Sequence, residues 1–231
     1  IYEVSSPTVA EMVKILENTY RLVNISLVNE LALLAGKMKI NINEVIDAAK
    51  TKPFGFQAFY PGPGIGGHCI PLDPFYLEYI AKKYEFDLKM IETAGHINMR
   101  MPHYMYIKIS SILNKFNKSV KGSKILFLGV AYKANIDDDR ESPALKIIDK
   151  VISKGGIVSY HDPFIKNTLT PDGNKLESVE FDKSLLRKYD CIVISTPHEL
   201  FDEKIIFENS KIIVDLRNII KNKTDDKLVK L

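Results

Sequence analysis

The sequence predicts an α/β protein in two parts: an all-helical first half built on one long helix, then a half whose strands and helices alternate into a parallel sheet. Three observations predict it. Apolar residues recur at every third or fourth position from Pro7 to Leu34, the period of a helix. Helical patterns fill the chain from there to Asn114, apart from one glycine-rich loop. Beyond the polar stretch "FNKSVKGSK", short apolar runs alternate with helical segments, which implies parallel strands covered on both faces. The expected domains are residues 1–117 and 118–231.

Taken in order, the long helix starts at Ser6 as N-cap with Pro7 in the first position, and Gly36 is its expected stop. Its apolar stripe is Val9, Met12, Val13, Leu16, Tyr20, Val23, Leu27, Leu31 and Leu34. A helix of about 28 residues is roughly 42 Å long, which suits a strut between domains. "NINEVIDAAK" follows as a short helix, with Asn41 and Glu44 spaced as a capping box. After the glycine loop, "DPFYLEYIAKKYEF" reads as a helix capped by Asp73 with Pro74 first. Two more helices, about 88–100 and 102–114, flank Pro102.

In the second half, "SKILFLGVAYK" is a buried strand, followed by the irregular "ANIDDDRES". "PALKIIDKVISKGG" is a helix ended by Gly155 and Gly156. "IVSYHDP", "CIVIST" and "KIIVDL" are strands, separated by the helices "KSLLRKYD" and "DEKIIFENS". The tail "KNKTDDKLVKL" reads as frayed. Ligands of such a sheet lie beyond the C-terminal strand ends. Those ends carry Tyr132 and Lys133, His161 and Asp162, Thr196 and His198, and Asp215 and Arg217.

The 231 residues are 45% hydrophobic and 26% charged, ordinary for a soluble globular protein. A net charge of +3 is too slight to imply a nucleic-acid partner. No apolar run reaches membrane-spanning length and no signal peptide is visible, so no membrane partner is expected. Cys69 and Cys191 stand far apart, which favours reduced thiols and a cytoplasmic setting. The chain opens "IYEVSSPTVAEMVKI", without Met and almost directly in a helix, like the C-terminal part of something longer.

The stretch "PGPGIGGHCIPLD" holds the chemistry. Gly62, Gly64 and Gly67 satisfy G-x-G-x-x-G, but that fingerprint needs a strand before it and a helix after it. Pro53, Gly55 and Pro61 spoil the strand, and Pro71 and Pro74 argue against a helix starting at the glycines. The glycines read instead as a loop that lets backbone approach a ligand and presents Cys69. A lone Cys is more often a small buried hydrophobe than a nucleophile, yet a glycine loop is a poor place to bury one. His68 is adjacent, and neighbours on an extended loop point apart. No Cys or His stands at zinc-ligand spacing, so no metal is expected.

Asp73 has two compatible readings: a helix cap worth about 1 kcal/mol, and a carboxylate holding water near Cys69 for general-base attack. Lys14 and Asn18 are four apart and share a helix face. On spacing alone a solvated pair is the better reading than a pair donating to an oxyanion. Lys133 and Arg140 bracket "ANIDDD", either as a local ion-pair loop or as phosphate ligands.

Three stretches in order, "AEMVKILENTYRLVNISLVNELA", "FYPGPGIGGHCIPLDPFYL" and "GVAYKANIDDDRESPALKIIDKV", resemble the central and C-terminal domains of the UDP-glucose/GDP-mannose dehydrogenase family over nearly the whole chain. The resemblance implies a Rossmann-like UDP-binding second half. It also implies oxidation of the C6 alcohol of a UDP-sugar to a carboxylate, with two NAD reduced. The loop is most similar to the UDP-N-acetylglucosamine branch, with UDP-N-acetylmannosamine and UDP-glucose as alternatives. By resemblance, Cys69 is the nucleophile that forms a thiohemiacetal and then a thioester, Lys14 and Asn18 stabilise the oxyanion and position water, and Asp73 assists hydrolysis. Lys133, Gly66, Phe59, Tyr60 and Arg217 are the implied substrate contacts, and Arg140 reaches toward NAD. A homodimer through the long helix is implied as well. The family's N-terminal Rossmann domain has no counterpart in these residues, so the chain alone is expected to be inactive. A non-catalytic nucleotide-sugar-binding module is the alternative class; Cys69 with Lys14, Asn18 and Asp73 argues against it.

Overall fold

The computed structural model describes residues 2–231. The chain divides into two compact units: residues up to Tyr60 with Gly67–Met99, and Pro61–Gly66 with Arg100–Leu231. The division falls inside a helix, short of the polar stretch near residue 118.

The first unit is helical. Helix α1, Pro7–Met38, begins as expected, with Ser6 Oγ accepting from the Val9 amide. It runs through Gly36 and stops at Lys39, whose φ of 59° is left-handed. The apolar stripe faces outward: Met12, Leu16, Tyr20, Leu27, Leu31 and Leu34 are all exposed. The buried face is small and polar, with Asn18, Ser26, Asn29, Ala32 and Ala35 around Leu22. Its polar groups are satisfied inside the unit. Ser26 Oγ lies 2.9 Å from the Ala94 carbonyl oxygen, and the Asn29 amide donates to Asn98 Oδ1 at 2.8 Å. Helix α2, Ile42–Ala49, is capped by Asn41, whose side chain accepts from the Asn43 amide.

Three prolines behave differently from the sequence expectation. Helix α3 spans Cys69–Ala81 and starts at the glycines, not at Asp73. Pro71 falls in the first turn, where an N–H has no intrahelical partner to lose. Pro74 lies buried inside the helix. Asp73 is therefore not a cap. Helix α4 is one continuous Lys89–Lys115 with Pro102 within it, not two helices.

The second unit is a five-stranded parallel sheet in the order β2-β1-β5-β6-β7. Its strands are β1 Lys124–Leu128, β2 Ile157–His161, β5 Cys191–Ile194, β6 Ile213–Asp215 and β7 Leu228–Lys230. β1 and β5 are buried almost throughout, as strands covered on both faces must be. Leu126, Leu128, Ile192, Ile194 and Ile213 form a core with Leu186 and Ile206, from helices α6 Lys183–Leu186 and α7 Glu203–Asn209. Helix α5, Pro143–Ser153, is capped by Ser142, whose side chain accepts from Ala144 N–H.

Two features lay outside the sequence reading. A small antiparallel hairpin, β3 Asn167–Leu169 with β4 Lys175–Glu177, follows β2. The tail is not frayed, because its last residues form β7 beside β6. Lys108 donates to the Lys230 carbonyl at 2.7 Å, and Lys115 pairs with Asp226 at 2.6 Å. These bonds clamp the terminal strand.

Register explains where a ligand belongs. His161, Leu128, Ile194 and Asp215 pair in succession across four strands. The strands therefore end in step, and their loops gather at one edge. The chain leaves β1 for β2 on one side and returns to β5 on the other, so the order reverses at β1 and β5. Open α/β sheets bind ligands at such a switch point. Among the described residues no helix is long and apolar enough to cross a membrane, and no group of three or more His, Cys, Asp or Glu could hold a metal ion.

Candidate active site

The first unit gathers three of the expected residues. Cys69 is exposed and is the first residue of α3. Asp73 is one turn further on the same helix. Residues four apart on a helix are neighbours, with Cβ atoms about 5–6 Å apart. Asn18, 2% exposed, reaches across from α1 and donates its Nδ2 to Asp73 Oδ2 at 2.8 Å. The amide thus fixes the carboxylate beside the thiol. By resemblance Asn18 faces an oxyanion together with Lys14; in the structure one of its two amide N–H donors goes to Asp73. Lys14 stays exposed, with Nζ 3.7 Å from Glu17 Oε2. The other thiol, Cys191, is fully buried in β5, and burial pushes its pKa up, so it is inert.

The N-terminal turn of α3 adds a second feature. His68 makes no side-chain cap bond. The first N–H groups of a helix have no partner within it, so those beside Cys69 can serve a negative oxygen. Of the two tests set for the G-x-G-x-x-G pattern, one is met: a helix does open directly after Gly67. The other is not, since residues 53–61 form no strand.

Phe59 and Tyr60 are engaged within the first unit. Phe59 packs edge-on against Tyr20, with ring centroids 5.8 Å apart. The Tyr60 hydroxyl donates to Asp47 Oδ1 at 2.7 Å and lies 3.0 Å from Lys50 Nζ.

The second unit carries the cationic residues. Lys133 is exposed in the loop after β1. The Tyr132 amide donates to the Asp138 carbonyl at 3.0 Å, closing residues 132–138 into a loop. Arg140 is exposed and bidentate on Asp138, with Nε 2.9 Å from Oδ1 and Nη2 2.5 Å from Oδ2. Arg217 is exposed after β6, its guanidinium against the α-carbon of Gly62. A side chain on Gly66 would put its Cβ 2.7 Å from Tyr132 Cβ and 3.0 Å from the Glu141 carbonyl oxygen. Gly66 thus has a packing reason of its own.

Asp162 and His198 had been named only as strand-end residues. Their side chains are fully buried, and His198 Nε2 lies 3.1 Å from Asp162 Oδ2. The same carboxylate accepts from the amides of Val130 at 2.7 Å, Ala131 at 3.0 Å and Phe164 at 2.9 Å. Burial alone would raise the Asp162 pKa; the His198 bond and the backbone amides outweigh it and hold it at about 2. Only the signal of two polar residues just past parallel strand ends could have marked the pair.

Comparison with known proteins agrees with this architecture. Residues 8–100 match the central domain of the UDP-glucose/GDP-mannose dehydrogenase family, and residues 126–222 match its UDP binding domain. A UDP-N-acetyl-D-mannosamine dehydrogenase of Pyrococcus horikoshii is 40% identical over 94% of this chain and 50% of its own length. The protein of that name from Methanocaldococcus jannaschii is 38% identical over 94% of this chain and 49% of its own. A solved structure of UDP-D-ManNAc dehydrogenase from P. horikoshii superposes with a TM-score of 0.84 at 36% identity, covering 98% of this chain and 52% of that one. The chain spans about half the length of the curated relatives it matches. With both domains matched in tandem, the chain belongs to the UDP-glucose/GDP-mannose dehydrogenase family.

Proposed function

We propose that the chain is the thiol-bearing and UDP-sugar-binding portion of an NAD-dependent UDP-N-acetylmannosamine 6-dehydrogenase. The observation that carries the reading is Cys69 at the head of α3, with Asp73 one turn on and held by the buried Asn18 amide. A binding module needs no such arrangement. The loop motif alone favoured UDP-N-acetylglucosamine; the relatives named for UDP-N-acetyl-D-mannosamine support that sugar better.

The chain's residues account for the sulfur side of the chemistry. The Cys69 thiolate adds to the C6 aldehyde, forming a C–S bond, and the carbonyl oxygen takes the charge. The first-turn amides of α3 and Lys14 stabilise that oxygen, which is protonated to a thiohemiacetal. Oxidation of this adduct gives a thioester. Asp73 takes a proton from the attacking water, the C–S bond breaks, and the sugar acid leaves with the thiolate restored. Lys133 and Arg217 hold the diphosphate.

NAD, when bound, would accept the hydrides. Arg140 is the group offered to it here, a surface cation that can exchange Asp138 for another anion. Among the described residues no strand leads through a glycine turn into a helix to cradle its pyrophosphate.

The test uses the longer enzyme, this chain joined to the residues its relatives carry outside the matched half. A quenched reaction with UDP-N-acetylmannosamine and NAD should place a sugar adduct on the peptide containing Cys69, seen by mass spectrometry. Cys69→Ser should bind substrate and stall after capture, because a serine ester hydrolyses far more slowly. Two NADH per sugar acid from Cys69→Ala would refute the mechanism. Faster turnover of UDP-N-acetylglucosamine would refute the sugar.

A further inference from the structure

The loop that carries Lys133 is held at two places, one on each side of that residue. On the near side, the Asp162 carboxylate accepts from the amides of Val130 and Ala131. Thr196 Oγ1 donates to the Ala131 carbonyl at 2.6 Å. On the far side, the Asn135 amide donates to His198 Nδ1 at 3.0 Å. Asn135 is left-handed, with φ of 61°, a conformation that costs most residues free energy. Its side-chain oxygen accepts from the Glu199 amide at 3.1 Å. The His198 ring joins the two sides. Nδ1 accepts from Asn135, so the ring proton sits on Nε2 and is donated to Asp162.

Phosphate ligands on a floppy loop lose affinity, because binding must then order the loop. We propose that His198 is a positioning residue for diphosphate binding: its Nδ1 accepts from the Asn135 amide and so holds the loop on the far side of Lys133, while Asp162 holds the near side directly. The inference rests on the UDP-binding reading above. His198 touches no ligand in this account and acts only through Lys133.

The geometry separates two halves of the ring. In His198→Asn, the amide oxygen falls near Nδ1 and can still accept from Asn135, but the side chain is too short for Asp162. In His198→Gln, the amide reaches Asp162 and leaves Asn135 without an acceptor. UDP affinity is measured by calorimetry on the 231-residue chain, alongside the thermal midpoint. His198→Gln is expected to weaken UDP about three- to tenfold, the effect of one lost hydrogen bond on loop order. His198→Asn should bind within about twofold of the unaltered chain while its midpoint falls, through loss of the Asp162 contact. In a Lys133→Ala background, His198→Gln should weaken UDP no further.

Affinity that tracks the midpoint across both variants would make His198 merely structural and overturn the proposal. So would equal losses with and without Lys133, or no loss in His198→Gln. Lys133→Ala and His198→Gln fail separately: if Lys133→Ala weakens UDP and His198→Gln does not, only this inference falls. No UDP binding by the unaltered chain would overturn the reading beneath it as well.

Discussion

Breaking the Asn18–Asp73 bond separates the stability of the site from its chemistry. The bond is 2.8 Å long, from an amide that is 2% exposed to a half-buried carboxylate. Hydrogen bonds to charged groups contribute about 1.5–3 kcal/mol, and a buried donor left without a partner costs about 1–3 kcal/mol. Asp73→Ala strands the Asn18 amide and should cost roughly 2 kcal/mol on that basis. Asn18→Ala should cost about the same, since it removes the bond and leaves a small gap. Both changes delete one interaction, so the double variant should cost little more than either, a coupling of about 1–2 kcal/mol. Asp73→Asn keeps an acceptor oxygen and should cost only about 1 kcal/mol, the charge-assisted share.

Peptide-level hydrogen exchange under graded urea reads the opening of α1 and α3 within their own unit. Coupling below about 0.3 kcal/mol would show that the two residues do not interact in solution. In the longer enzyme the chemical reading adds a second outcome. Asp73→Asn retains the geometry but not the base. Thioester hydrolysis should therefore slow about 10²–10⁴-fold, the usual worth of a positioned base, while stability falls by only the ~1 kcal/mol given above. Unchanged acid formation in Asp73→Asn would leave Asp73 a structural partner of Asn18 and nothing more.

Lys133→Ala should weaken UDP by about 1.5–3 kcal/mol, one charge-assisted bond; unchanged affinity by calorimetry would remove Lys133 from the site. Asp162, held at about 2, lies below its unfolded pKa near 3.9, so its contribution is present above pH 4 and lost as pH falls through 2. Nearly two pKa units correspond to about 2.5 kcal/mol. Asp162→Asn should be less stable by that order at pH 7, with the gap closing between pH 4 and 2 in acid unfolding; a gap that persists at pH 2 contradicts the linkage. The outward stripe of α1, Leu16 and Leu27 included, predicts self-association. Light scattering should give twice 26.2 kDa, and Leu16→Asp with Leu27→Asp should return the monomer mass; a monomer in the unaltered chain at tens of micromolar would refute it.

What the sequence shows and hides follows from the range of each interaction. Periodicity found α1 and the alternating strands, because those patterns are local. It did not say which way the stripe of α1 faces. A helix whose inward face is Asn18, Ser26 and Asn29 reads as inverted, until Asn98 and the Ala94 carbonyl are seen to satisfy that face. Pro71, Pro74 and Pro102 misled for a related reason. A proline rule prices the helix in isolation, whereas Pro74 and Pro102 are buried, so packing within the fold offsets the lost bond. The strands β3, β4 and β7 are three residues each, too short to show alternation, and β7 is defined by its pairing with β6, with Lys108 and Lys115 reaching the tail from a helix more than a hundred positions away.

The site divides in the same way. Cys69 and Asp73 stand four apart, and once α3 is known to begin at Cys69 their nearness is a consequence of helix geometry. Asn18 lies 55 positions from Asp73, and no spacing rule connects them. On residues alone Asn18 was one half of a solvated pair with Lys14; resemblance made it functional, and the fold gave it a different partner. That partner changes the argument about mechanism. An amide donating to an oxyanion would stabilise charge on the substrate directly. An amide buried against Asp73 instead fixes the direction of that carboxylate, the one proposed above to take a proton from water. Substituting Asn18 should therefore damage thioester hydrolysis more than aldehyde capture, the opposite of what an oxyanion ligand would give.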